Sequence, residues 1–182
     1  MPGWLNLPNL LTFLRLLLAP WVIQSILSGR HVLALALFAI AALTDLLDGA
    51  AARHLGLSTQ TGAYLDPIAD KILMSGVFLA LAAARTVPWW LVALIFGRDL
   101  YILAAVGVAM LFTTLRKFPP SLWGKVSTFV QIVTATVCLS RNALELRALD
   151  PLFPVMLWIC AAFTVWSGIH YTWYGTQVLR AH

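Results

Sequence analysis

Apolar stretches of roughly twenty residues, the length that crosses a bilayer as a helix, recur along this chain between short polar breaks. They run from Leu5 to Ser28, Val32 to His54, Gly62 to Ala84, Trp89 to Phe112, Leu122 to Ser140 and Leu152 to Tyr174. The pattern predicts an all-α integral membrane fold of six transmembrane helices. The breaks carry turn and helix-stop residues: Gly29-Arg30-His31, Leu55 to Thr61 with Gly56, Arg85 to Pro88, Thr113 to Ser121 with two prolines, and the polar run from Arg141 to Asp150. The first stretch could pass for an export signal, but no basic region precedes it and Arg15 interrupts it, so it is expected to remain a span. With no internal repeat or low-complexity linker, residues 1–182 read as a single membrane domain.

Composition sharpens that reading. Of the 182 residues 61% are hydrophobic and 10% charged, and the mean hydropathy is +0.87, which lies outside soluble norms. The net charge of +5 comes from basic residues scattered among apolar segments, without a run. This argues against nucleic acid and for an anionic lipid surface. Cys138 and Cys160 lie in apolar stretches without metal-ligand spacing and read as small membrane residues, not a disulfide. Trp89, Trp90, Trp123 and Trp173 fall near span ends, where the aromatic belt is expected.

The informative positions are the polar ones inside apolar segments, because an unpaired charge there is costly. Five of the seven acids are so placed: Asp45, Asp48, Asp66, Asp70 and Asp99. Three- and four-residue intervals put Asp45 with Asp48, and Asp66 with Asp70, on one face of their helices. If the two helices face each other, four carboxylates converge near one end of spans two and three. Such a group cannot stay ionised alone, and one or two hard divalent cations, Mg2+ or Mn2+, would compensate it. Arg98 and Asp99 are neighbours in span four and read either as a neutralising intramembrane ion pair with no catalytic role or, since adjacent residues point in different directions, as groups each with another partner, a phosphate for Arg98. Lys125, at the start of span five, reads as an interfacial anchor or a substrate contact. In Pro8-Asn9-Leu10-Leu11-Thr12-Phe13-Leu14-Arg15, the polar spacing reads either as helix capping plus a snorkelling arginine or as part of the site. Cytosolic termini put Arg53, Arg116, Lys117, Lys125 and Arg180 inside, joined by Arg15 and Lys71 near inner span ends, and open the acid cluster to the cytosol.

The motif Asp45-x2-Asp48-Gly49-x2-Ala52-Arg53-x8-Gly62-x3-Asp66-x3-Asp70 is complete and resembles the signature of the CDP-alcohol phosphatidyltransferases. The Asn9, Thr12 and Arg15 spacing resembles that family's first helix. The resemblance implies a six-helix, usually homodimeric membrane enzyme with a di-metal site between helices two and three near the cytosolic face. Asp45, Asp48 and Asp66 would be metal ligands and Asp70 a ligand or the general base. Asn9 and Thr12 would lie near the nucleotide, Gly49, Ala52 and Gly62 would allow its close approach, and Arg53 would meet the diphosphate. The implied reaction joins CDP-diacylglycerol to an alcohol and releases CMP. It implies a multi-pass protein of the cell inner membrane, or of the mitochondrial inner membrane if eukaryotic.

Two branches of the family are similar here. Phosphatidylglycerophosphate synthases, which use glycerol 3-phosphate, commonly carry Arg-Glu in the fourth span and Gly-Lys-x-Lys-Thr at the fifth. This chain has Arg98-Asp99 and Gly124-Lys125-Val126-Ser127-Thr128, one lysine fewer. Together with Ser167-Gly168-Ile169-His170-Tyr171, this leans to the CMP-forming cardiolipin synthases, whose acceptor is phosphatidylglycerol. A cation- or proton-coupled transporter is the rival class, since intramembrane acids also mark ion pathways. Transporter sites tend to lie at the midplane between repeats, whereas these acids gather towards one side.

Overall fold

The computed structural model describes the backbone of residues 7–55, 60–112, 122–145, 148 and 150–180, and side chains over 10–45, 68–105, 107–108, 122–145, 148 and 150–173. Among the described residues the regular elements are six helices: α1 (Leu7–Leu27), α2 (His31–Leu55), α3 (Gln60–Ala83), α4 (Trp89–Phe112), α5 (Leu122–Leu144) and α6 (Phe153–Arg180). The fourth matches the expected span at both ends. Others overrun theirs: α5 continues four residues past Ser140, and α6 six past Tyr174. Hydropathy marks the apolar length, whereas backbone hydrogen bonding carries a helix on through polar residues such as Arg141 and Asn142.

Among the described residues, three helices are long and apolar enough to cross a membrane, in α1, α5 and α6. Large apolar side chains face outward throughout, Phe13, Leu17 and Trp21 on α1, Leu100 and Leu103 on α4, Trp158 and Ile169 on α6. So continuous an apolar exterior suits hydrocarbon, not water. This is a membrane protein.

The chain forms two compact units, residues 1–86 with 135–147, and residues 87–134 with 148–182. In the first, α1 packs along both α2 and α3. Its buried stripe, Thr12, Arg15, Ala19, Val22 and Ile26, advances by three or four residues and meets Ala34, Phe38 and Ala41 of α2 and Ala69, Leu73 and Val77 of α3 as the unit's interior. Small residues allow close approach: a Cβ on Gly76 of α3 would overlap Ile23 Cδ1 and lie 3.1 Å from Cγ1. Two similar stops end α1 and α3. Arg30 N bonds Ser25 O at 2.9 Å around Gly29, and Thr86 N bonds Leu81 O at 2.9 Å around Arg85, both centres having positive φ (69° and 57°). Asn142 Nδ2 of α5 donates to Thr86 Oγ1 at 3.0 Å and ties down the second of these turns.

In the second unit, α4 packs on α6. Leu91, Val92 and Ile95 face inward on α4, and Leu157, Cys160, Ala161, Thr164 and Ser167 on α6. Cys160 here, and Cys138 in the first unit, are buried and not joined in a disulfide.

Candidate active site

Position 15 governs how the two acid helices are joined. Because Arg15 lies on the same stripe as Ala19, Val22 and Ile26, its side chain enters the packed face of α1, where a guanidinium needs an opposite charge. Asp45 of α2 and Asp70 of α3 supply it. Arg15 Nη2 lies 2.8 Å from Asp45 Oδ1, and Nη1 donates to Asp70 Oδ1. The arginine side chain is 1% exposed and the carboxylates 39% and 42%. The cation therefore sits beneath and the acids form a partly open rim.

This corrects one reading and refines another. Arg15 does not snorkel; it is the inner member of a three-helix triad. The first and last acids of the motif do come together, and the element common to both is α1. Asp48 and Asp66 occur in α2 and α3, but their side chains, like those of Asn9, Ala52 and Arg53 and the surroundings of Gly49 and Gly62, lie outside what is described. Thr12 is buried one turn ahead of Arg15 on the same stripe. Among the described residues no three His, Cys, Asp or Glu side chains gather as a metal-binding group; two of the four acids expected to do so are not among them. The donor chemistry of Asp45 and Asp70 fits a hard divalent cation, being carboxylate oxygen at a partly exposed rim.

The second unit carries its own ion pair. Arg98 Nη1 lies 3.0 Å from Asp99 Oδ1, with the side chains 12% and 13% exposed, and Arg98 Nη2 donates to Ser167 Oγ of α6. The neighbours therefore form the ion pair, one of their two readings, and Arg98 has a further partner in Ser167. A polar link between Tyr101 Oη and Thr172 Oγ1, at 2.7 Å, joins the same two helices. Lys125 is exposed near the start of α5, whereas Ser127, two residues on, is buried. His170 lies between the rings of Trp123 and Trp173, at centroid distances of 6.4 and 5.8 Å.

Arg15 and Ser167 were the residues least legible beforehand. The signal for Arg15 was present: it falls three to four residues from Thr12 and Ala19, in register with the interior. Ser167 is a partner across 69 positions of sequence, which local spacing cannot reveal.

The model of the CDP-alcohol phosphatidyltransferase family matches residues 5–166. The chain belongs to that family. Among its relatives, a probable phosphatidylglycerophosphate synthase of Mycobacterium tuberculosis is 41% identical over 135 residues, 70% of this chain and 63% of the relative. The CMP-forming cardiolipin synthase of Rattus norvegicus is 34% identical, covering 96% of this chain and 64% of its own length. The CDP-diacylglycerol–glycerol-3-phosphate 3-phosphatidyltransferase of Bacillus subtilis is 32% identical, with 91% and 93% covered. The chain thus spans somewhat under two thirds of the mycobacterial and rat relatives, and nearly all of the Bacillus one.

Proposed function

We propose that this protein transfers a phosphatidyl group from CDP-diacylglycerol to an alcohol and releases CMP, and that the alcohol is phosphatidylglycerol, giving cardiolipin. The observation that carries the transfer reaction is the pairing of the motif's first and last acids across two helices on one buried arginine, within a chain of this family. Asp45, Asp48, Asp66 and Asp70 are assigned to hold one or two Mg2+ or Mn2+ ions. Bound there, the cations would screen the diphosphate and stabilise the departing phosphate.

The other steps belong to side chains. Asn9 and Thr12 take the nucleotide side, Gly49, Ala52 and Gly62 leave room for it, and Arg53 holds the diphosphate. Asp70 accepts the acceptor's hydroxyl proton as its oxygen bonds to the lipid-side phosphorus and the bond to CMP breaks. Arg98 and Lys125 bind a substrate phosphate. In this reading six helices span the membrane, the termini and acids face the cytosol, and the enzyme is a homodimer of the cell inner membrane, or of the mitochondrial inner membrane in a eukaryote.

For the acceptor, charge supply favours phosphatidylglycerol. Arg98 already engages Asp99 and Ser167, and Ser127 stands where a second lysine would serve a dianionic phosphomonoester. A phosphodiester carries one negative charge and brings acyl chains that add apolar affinity. Glycerol 3-phosphate is the second reading, favoured by the names of the mycobacterial and Bacillus relatives. The test is CMP release by purified protein given CDP-diacylglycerol and Mg2+ with each acceptor in turn. Release with phosphatidylglycerol supports the proposal, release with glycerol 3-phosphate alone supports the second reading, and release with neither refutes both.

A further inference from the structure

We infer that Arg15 is a positioning residue for the divalent-cation site, presetting the separation and orientation of Asp45 and Asp70 before any cation arrives; this rests on the proposed reading of the acid motif as a metal site. Three observations carry it. The guanidinium is buried, with 1% of its side chain exposed, while both carboxylates remain about two-fifths exposed. A fork that is gripped by packing below and bonded above fixes the carboxylates, not the reverse. Second, the two ends of one planar group are divided between two helices, Nη2 on Asp45 of α2 and Nη1 on Asp70 of α3. Neither acid can rotate or drift along its helix without breaking its bond to a group that cannot follow.

Third, α1 packs along both acid helices, and the close contact of Ile23 with Gly76 holds α1 in register against α3. Position 15 is therefore placed by the whole interface. The motif's geometry extends the consequence. Asp48 is three residues after Asp45 in α2 and Asp66 four before Asp70 in α3, so the same clamp holds the helix turns that carry the other two acids. Hydrogen-bonding partners that orient metal ligands in this way typically govern cation affinity by about 10- to 100-fold.

A bare counter-charge would behave oppositely. If Arg15 served only to neutralise the acids, a divalent cation would compete with it, and removing the guanidinium would tighten cation binding. The experiment is a titration of purified full-length protein with Mn2+, reading free Mn2+ by electron paramagnetic resonance, for wild type, Arg15→Gln and Arg15→Lys, with helical content and monodispersity checked for each. The inference expects both variants to bind Mn2+ about 10- to 100-fold more weakly than wild type. Arg15→Lys keeps a buried cation, which favours folding, but its single nitrogen cannot present a planar fork to two carboxylates; little rescue is expected from it. Folded variants, or Arg15→Lys alone if the glutamine variant does not fold, that bind as tightly as wild type or more tightly overturn the positioning role. Wild type that binds no Mn2+ would instead refute the metal reading itself, and the inference with it.

Discussion

Removing the two carboxylates is predicted to harm the fold more than removing the arginine between them. In Asp45→Asn/Asp70→Asn, the guanidinium of Arg15 stays at 1% exposure without a formal counter-charge from either acid. An uncompensated buried charge of this kind costs about 3–5 kcal/mol. Asparagine oxygens still accept hydrogen bonds, which places the expected loss nearer the lower end. In Arg15→Met the stranded groups are carboxylates with side chains 39% and 42% exposed, where solvent screens most of the lost interaction, and the expected cost is about 1 kcal/mol or less. The triple variant Arg15→Met/Asp45→Asn/Asp70→Asn has no buried charge left at this point and should regain most of the stability, although catalysis is lost. Unfolding of the purified protein in mixed micelles, followed by circular dichroism, measures all three. A double variant as stable as wild type, or a triple variant no better than the double, would refute the claim that these acids compensate Arg15.

Further expectations concern activity and packing. Asp45→Asn or Asp48→Asn alone should remove nearly all turnover while the protein still folds, since Asp70 continues to pair with Arg15 in either case; near-normal CMP release at low Mg2+ would contradict the ligand assignment. Arg98→Gln should lower activity with the membrane fold intact, and unchanged turnover would leave the Asp99 and Ser167 contacts as its whole role. Gly76→Ala should destabilise by about 1–3 kcal/mol through overlap with the Ile23 side chain, and Ile23→Val, which removes the colliding Cδ1, should recover part of it. Equal unfolding midpoints for the single and double variants would count against the close α1 and α3 approach.

How much of this was written in the sequence differs from element to element. The helices follow from apolar run length, and α4 was legible to the residue because Pro88 precedes it and the apolar run holds to Phe112. The ends of α5 and α6 were not, since polar residues such as Arg141 continue a helix that hydropathy alone would stop. The acids were conspicuous by their cost in an apolar setting, and their one-turn spacing implied shared faces. Spacing says nothing, however, about which third helix packs between two others. That is why Arg15 read equally well as a snorkelling residue until α1 was seen against both α2 and α3. The Arg98 to Asp99 ion pair is one of two readings their adjacency allows, whereas the Ser167 contact depends on tertiary packing, which helical periodicity does not encode.

The most direct test of phosphatidyl transfer is mass spectrometry of the lipid formed when purified protein, CDP-diacylglycerol and Mg2+ are given phosphatidylglycerol and glycerol 3-phosphate together in equal amounts. Cardiolipin, formed in step with CMP and abolished by Asp45→Asn, is the predicted result. Phosphatidylglycerophosphate in its place would contradict the acceptor, and the absence of both a new phosphodiester lipid and CMP would contradict the account at its centre.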